Sequence, residues 1–104
     1  IAMEMALTGD TITAERAHQH GLVNILCEPG EAINEAISLA ERINSNAPLA
    51  VRATRKAVLE GAMVDDDEGI RIAVELFTPV AKSEDAKEGP LAFVEKRSPE
   101  WKAR

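Results

Sequence analysis

Apolar residues recur at three- and four-residue steps through residues 31–44. Ile33, Ala36, Ile37, Ala40 and Ile43 share one face, and Asn34, Glu35, Ser38, Glu41 and Arg42 share the other. That period predicts an amphipathic helix with one side turned to a core. The stretch NSNAP closes it, and Pro48 suits the first turn of a second helix reaching to about Leu59, since a first-turn N–H has no carbonyl partner to lose. Ala50, Ala53 and Ala57 form a small face that lets a neighbouring helix approach, while Arg52 and Lys56 occupy another. A third helix is predicted from about Asp66, with acids in its first turn where the helix dipole favours them. Ile70, Ala73, Val74 and Phe77 make one apolar stripe of it, and Ile72, Leu76 and Val80 make a second. A helix apolar on nearly all sides is buried on more than one, so this pattern predicts burial against another domain or subunit. Pro79 predicts an end or kink near Thr78. Ser83 then caps a last helix with Glu84 and Asp85 in its first turn, and Pro90 predicts a kink or restart inside it.

The first part of the chain is choppier. Ile1, Met5 and Leu7 read as positions of a helix already in progress, with no capping Ser, Thr, Asp or Asn ahead of them, and Gly9 ends it. Thr13 caps a short helix, AERAHQH, which Gly21 stops. Residues 22–26, LVNIL, are branched and too few for a helix, so a short strand or extended segment is predicted, followed by a turn at EPG. The expected fold is mainly α with one short extended segment, divided into residues 1–27 and a helical region over residues 28–104. An opening inside a helix, without an initiator Met, points to the C-terminal piece of a longer protein.

Composition narrows the function classes. Hydrophobic residues make up 45% of the 104, which argues against global disorder, but aromatics make up only 3%, so Ala, Val, Ile and Leu must do most of the packing. A net charge of −6 argues against nucleic-acid binding. Cys27 is the only cysteine and forms no internal disulfide; it reads as a small packed hydrophobe in a reducing compartment. No apolar run approaches the ~20 residues that cross a bilayer. His18 and His20 are two apart, a spacing that points them in different directions on a helix and argues against a metal pair. Asp65, Asp66, Asp67 and Glu68 lack the alternating spacing of a calcium loop and read as a solvated helix start. There is no glycine-rich phosphate loop and no G-x-S-x-G. The residues alone therefore reach a mainly helical, self-associating segment and no reaction.

The tail is out of character with this acidic, aromatic-poor chain. It holds Phe93, Trp101, Lys96, Arg97, Lys102 and Arg104 within the stretch EGPLAFVEKRSPEWKAR. Two motifs bear on it. Residues 4–24, EMALTGDTITAERAHQHGLVN, carry Leu7-Thr8-Gly9-Asp10, Ile12-Thr13-Ala14 and a run from Ala17 to Val23. Residues 83–97, SEDAKEGPLAFVEKR, carry Glu84, Asp85, Glu88, Gly89, Ala92, Phe93, Glu95, Lys96 and Arg97. Together, in this order, they resemble the C-terminal segment of the crotonase superfamily, the enoyl-CoA hydratases and isomerases, and the resemblance spans essentially the whole chain. It implies the helical trimerisation region that follows a spiral catalytic core, in an enzyme assembled as a homotrimer or a dimer of trimers. It implies an acyl-CoA substrate, with coenzyme A as part of that substrate and no separate cofactor, and a cytoplasmic or mitochondrial-matrix location. The oxyanion hole and the two Glu of a hydratase would lie in the core, so no catalytic residue is expected here. Phe77 is expected against the CoA adenine and Lys96 near its phosphates; Phe93 and Trp101 are expected to clamp the tail by packing. Isomerase, thioester hydrolase and dehalogenase chemistries share the scaffold. A free-standing helical oligomerisation module is the non-enzymatic alternative.

Overall fold

The computed structural model describes residues 1–104 as six helices in two compact units, Ile1–Leu39 and Ala40–Arg104. In the first unit, α1 (Ala2–Thr8) ends at Gly9, whose φ of 74° and N–H bond to the Met5 carbonyl cap the helix. The Thr13 hydroxyl accepts the Arg16 N–H at 3.2 Å and starts α2 (Ala14–Gln19). Gly21 stops α2 in the left-handed region, with φ 71°. Its N–H bonds His18 O at 3.0 Å, and the Leu22 N–H bonds Ala17 O at 2.9 Å. This pair of bonds is the Schellman ending, which returns otherwise orphaned carbonyls to partners.

Residues 22–26 form neither helix nor strand. A strand needs a neighbouring edge, and the regular elements of this unit are all helical, so of the two expected alternatives, short strand or extended segment, the strand does not form, and Leu22, Val23, Ile25 and Leu26 are exposed on the connection. Cys27 is exposed as well, not packed, because it lies on the same uncovered connection. The third helix, α3 (Ala32–Asn44), crosses the division between the units and has the predicted period, yet Ile33, Ile37 and Ile43 on its apolar face are exposed within this chain.

The second unit is built on a hairpin of α4 (Pro48–Gly61) and α5 (Asp66–Ala81), which pack along one another. Ala53 is the buried residue of α4. At the turn end the two backbones come close: a Cβ placed on Gly61 would lie 3.8 Å from the Gly69 Cα. Asp65 caps α5 by accepting the Glu68 N–H at 3.0 Å. Of the two apolar stripes on α5, Ile72, Leu76 and Val80 are half-buried, whereas Ile70 and Val74 are 63% and 61% exposed.

Neither proline ends its helix. Pro79 lies inside α5, which continues to Ala81. It falls in the last turn, where its missing N–H removes a single bond, to the Glu75 carbonyl. The turn still closes through Lys82 N–H to Pro79 O at 3.2 Å and Ser83 N–H to Val80 O at 3.0 Å. The last helix, α6 (Asp85–Glu95), likewise passes through Pro90 without restarting. The Ser83 hydroxyl caps it, accepting the Ala86 N–H at 3.2 Å while donating to Val80 O, and the tail ties down its other groups.

Residues 98–104 run back along α6. The Glu88 carboxylate accepts the Glu100 N–H at 2.7 Å, Asp85 accepts the Lys102 and Ala103 N–H groups at 2.7 and 3.0 Å, and the Glu84 N–H reaches Arg104 O at 2.6 Å. Trp101 lies over Gly89, where a Cβ would sit 3.4 Å from the ring, and its Nε1 donates to Ser45 O at 2.8 Å. Trp101 thus clamps the tail as expected. Phe93 does not: it is 85% exposed. The clamp uses the side of α6 that carries Gly89 and the buried Ala92, and is made largely of carboxylates and backbone donors.

Candidate functional site

The two predicted ligand residues lie on different helices of the second unit. Phe77 sits on α5 in line with Ile70 and Val74 and is 37% exposed, so its ring is neither sealed in a core nor bare. Lys96 ends α6 in the left-handed region, with φ 54° and ψ 39°. Its N–H bonds Phe93 O at 3.3 Å and the Arg97 N–H bonds Ala92 O at 3.1 Å, the same Schellman pair that closes α2. Lys96 is exposed, and its ammonium takes part in none of the chain's ion pairs. No hydrogen bond joins Phe77 to Lys96.

Around Lys96 the charges are committed. The Arg97 guanidinium grips Glu88 with two N–H groups, one at 3.0 Å from Oε2, and its Nε reaches Glu95 at 2.6 Å. This two-toothed match of fork to carboxylate is the geometry that favours arginine over lysine. The Glu88 carboxyl is held well below its ordinary range, at about 2, first by the Arg97 hydrogen bonds and then by the Glu100 N–H. Arg97 is raised in turn, chiefly by Glu88 and then Glu95. Two residues beyond the capping Ser83, Asp85 is 3% exposed and spends both carboxylate oxygens on tail N–H groups. A groove of about 300 Å³ follows this seam, lined by Asp85, Glu88, Leu91 and Arg97. Its polar lining is largely paired within the chain, so it is the surface of the clamp and not a cavity awaiting an acid–base reaction.

The sequence reading missed these roles although it touched every residue involved. Glu88, Glu95 and Arg97 stood in the second motif as matches, but their pairing spans nine residues in one case and two in the other, which no helical period announces. No group of three or more His, Cys, Asp or Glu is arranged to hold a metal. No helix is long and apolar enough to cross a membrane.

Comparisons with known proteins agree over the full length. The family model described as enoyl-CoA hydratase/isomerase matches residues 1–104. The chain is 38% identical over 104 residues to the enoyl-CoA hydratase EchA19 of Mycobacterium tuberculosis, covering all of this chain and 39% of that protein. It is 41% identical over 106 residues to a carnitinyl-CoA dehydratase of Salmonella arizonae, covering 98% of this chain and 41% of the relative. Among solved structures, an enoyl-CoA hydratase from Mycobacterium tuberculosis H37Rv superposes with a TM-score of 0.94 at 50% identity, over 99% of this chain and 41% of that one. The chain thus spans about 40% of the length of the proteins it matches.

Proposed function

The chain belongs to the enoyl-CoA hydratase/isomerase family, and on that premise we propose that it serves an enzyme that adds water across the double bond of a 2-enoyl-CoA to give a 3-hydroxyacyl-CoA. The observation that carries this reading is the end-to-end match, in sequence and in helix arrangement, to a hydratase. The proton transfers and the thioester oxyanion are the work of carboxylates and backbone N–H groups in the rest of such an enzyme. This segment's share is binding and assembly. Phe77, half-exposed on its stripe, is the candidate contact for the adenine. Lys96 is the candidate for the phosphates, which it would meet as a compact point charge. Its exposure and freedom from any ion pair support that role. The bared row of Ile70 and Val74 is the candidate face for self-association as a homotrimer or dimer of trimers, because apolar surface in contiguous rows is ordinarily covered.

The test is direct. The purified full-length protein, given crotonyl-CoA, is expected to remove the ultraviolet absorbance of the conjugated thioester and yield 3-hydroxybutyryl-CoA. A shifted double bond or released CoA would instead assign the isomerase or the thioester hydrolase chemistry. The carnitinyl-CoA dehydratase relative favours one second reading, the same water chemistry on a substituted acyl chain, which a preference for such a substrate over crotonyl-CoA would reveal.

A further inference from the structure

Lys96 and Ala103 are the two residues other than glycine with positive φ. The same Schellman bonds that place Lys96 at φ 54° place Gly21 at φ 71° at the end of α2. Glycine takes this conformation freely, whereas an L-residue brings its Cβ against a carbonyl oxygen. A side chain kept there needs surroundings that over-determine the turn, and such positions gather where a protein binds or reacts. For Lys96 those surroundings are visible. The residue before it, Glu95, and the residue after it, Arg97, are joined through Arg97 Nε. Arg97 is in turn gripped by Glu88, nine residues back on α6, and the same carboxylate holds the Glu100 N–H farther along the tail. Arg97 Nη1 also donates to Ser98 O at 3.2 Å. The Lys96 side chain takes no part in this holding.

We infer that Glu88 is the positioning residue for Lys96: through Arg97 it fixes the left-handed turn from which the free ammonium reaches the phosphates of acyl-CoA. The inference rests on the reading of Lys96 given above. Glu88 touches no substrate; its effect on binding passes through the turn. Glutamine at this position keeps the shape and one acceptor but removes the charge that makes the grip on Arg97 strong. Loss of the grip releases Lys96 to sample other conformations, and that weakens binding shared by ground and transition states, which appears in KM and not in kcat.

The experiment is a cycle in the full-length enzyme: wild type, Lys96→Gly, Glu88→Gln and the double variant, with KM and kcat for an acyl-CoA. Lys96→Gly is expected to raise KM several-fold at nearly constant kcat, and Glu88→Gln to raise it by a smaller factor. The double variant is expected to match Lys96→Gly alone, because Glu88 has nothing left to position. Arg97→Lys, which keeps the charge without the fork, is expected to reproduce Glu88→Gln and replaces it in the cycle if Glu88→Gln fails to fold. An unchanged KM in Glu88→Gln, or factors that multiply in the double variant, overturns the positioning role while leaving Lys96 as the phosphate contact. An unchanged KM in Lys96→Gly overturns the Lys96 contact itself, and the positioning role with it.

Discussion

The ends of α2 and α6 are closed by the same two backbone bonds, yet one uses glycine and the other lysine. At Gly21 nothing beyond the local bonds is needed: a Cβ there would meet no atom within 4 Å, and only the backbone conformation selects glycine. At Lys96 the same turn carries a full side chain, and the chain surrounds it with Glu88, Glu95, Arg97 and the returning tail. The contrast shows that the turn alone does not explain the lysine. Helix termination is served as well or better by glycine, so on the reading proposed above what Lys96 adds is its ammonium, with the polar clamp holding the turn that carries it.

Breaking the clamp gives the largest expected effect. Asp85→Ala in the full-length protein leaves the Lys102 and Ala103 N–H groups without their buried acceptor and is expected to cost about 3 kcal/mol in chemical denaturation. An unchanged midpoint would mean the tail is not held at this point. Exchanging the two endings comes next. Gly21→Lys puts a side chain into the left-handed turn of α2 without any supporting ties and is expected to cost about 1–2 kcal/mol. Lys96→Gly is expected to stabilise by about 1 kcal/mol, since it relieves the same conformational cost. A loss of stability in Lys96→Gly would show that the lysine is there to hold the fold.

The smallest effect is one of acidity. The folded-state pKa of Glu88, at about 2, lies below its ordinary value of 4.5. Its contribution to stability is therefore fully present above about pH 4.5 and is lost as the pH falls through about 2, where the folded carboxylate takes up its proton. Hydrogen exchange at the Glu100 amide, which Glu88 binds, is expected to quicken relative to the intrinsic rate across that window. The Leu22 amide, bound by a carbonyl at the end of α2, is expected to show no such step. Equal behaviour of the two amides would remove the distinction between the endings.

Much of the fold was legible because it rests on local rules. The period of α3, the caps at Thr13, Asp65 and Ser83, and the stop at Gly21 each depend on residues within a few positions of one another. Failures came where distant groups decide. Pro90 lies within α6, which does not restart there, and Phe93 is exposed although Trp101 lies over Gly89 one turn before it. Residues 22–26 have strand composition but no neighbouring edge. For the candidate site, the motif E-K-R located Lys96 but could not show that its neighbour Arg97 is engaged and Lys96 free. Hydrogen bonds from a carboxylate to N–H groups 12 to 18 residues away, as at Glu88 and Asp85, leave no periodic trace in a sequence.

The reading proposed above has Lys96 kept in a costly conformation for the sake of a charge that meets the nucleotide end of acyl-CoA. Its most direct test is the KM of full-length Lys96→Ala for an acyl-CoA beside its KM for the same acyl group on pantetheine, which lacks the nucleotide and its phosphates. A several-fold rise for acyl-CoA, a clearly smaller one for acyl-pantetheine and a nearly constant kcat are predicted, with the acyl-CoA effect shrinking as added salt shortens the screening length below about 8 Å. Equal effects on both substrates, or a collapse of kcat with KM intact, would contradict the claim.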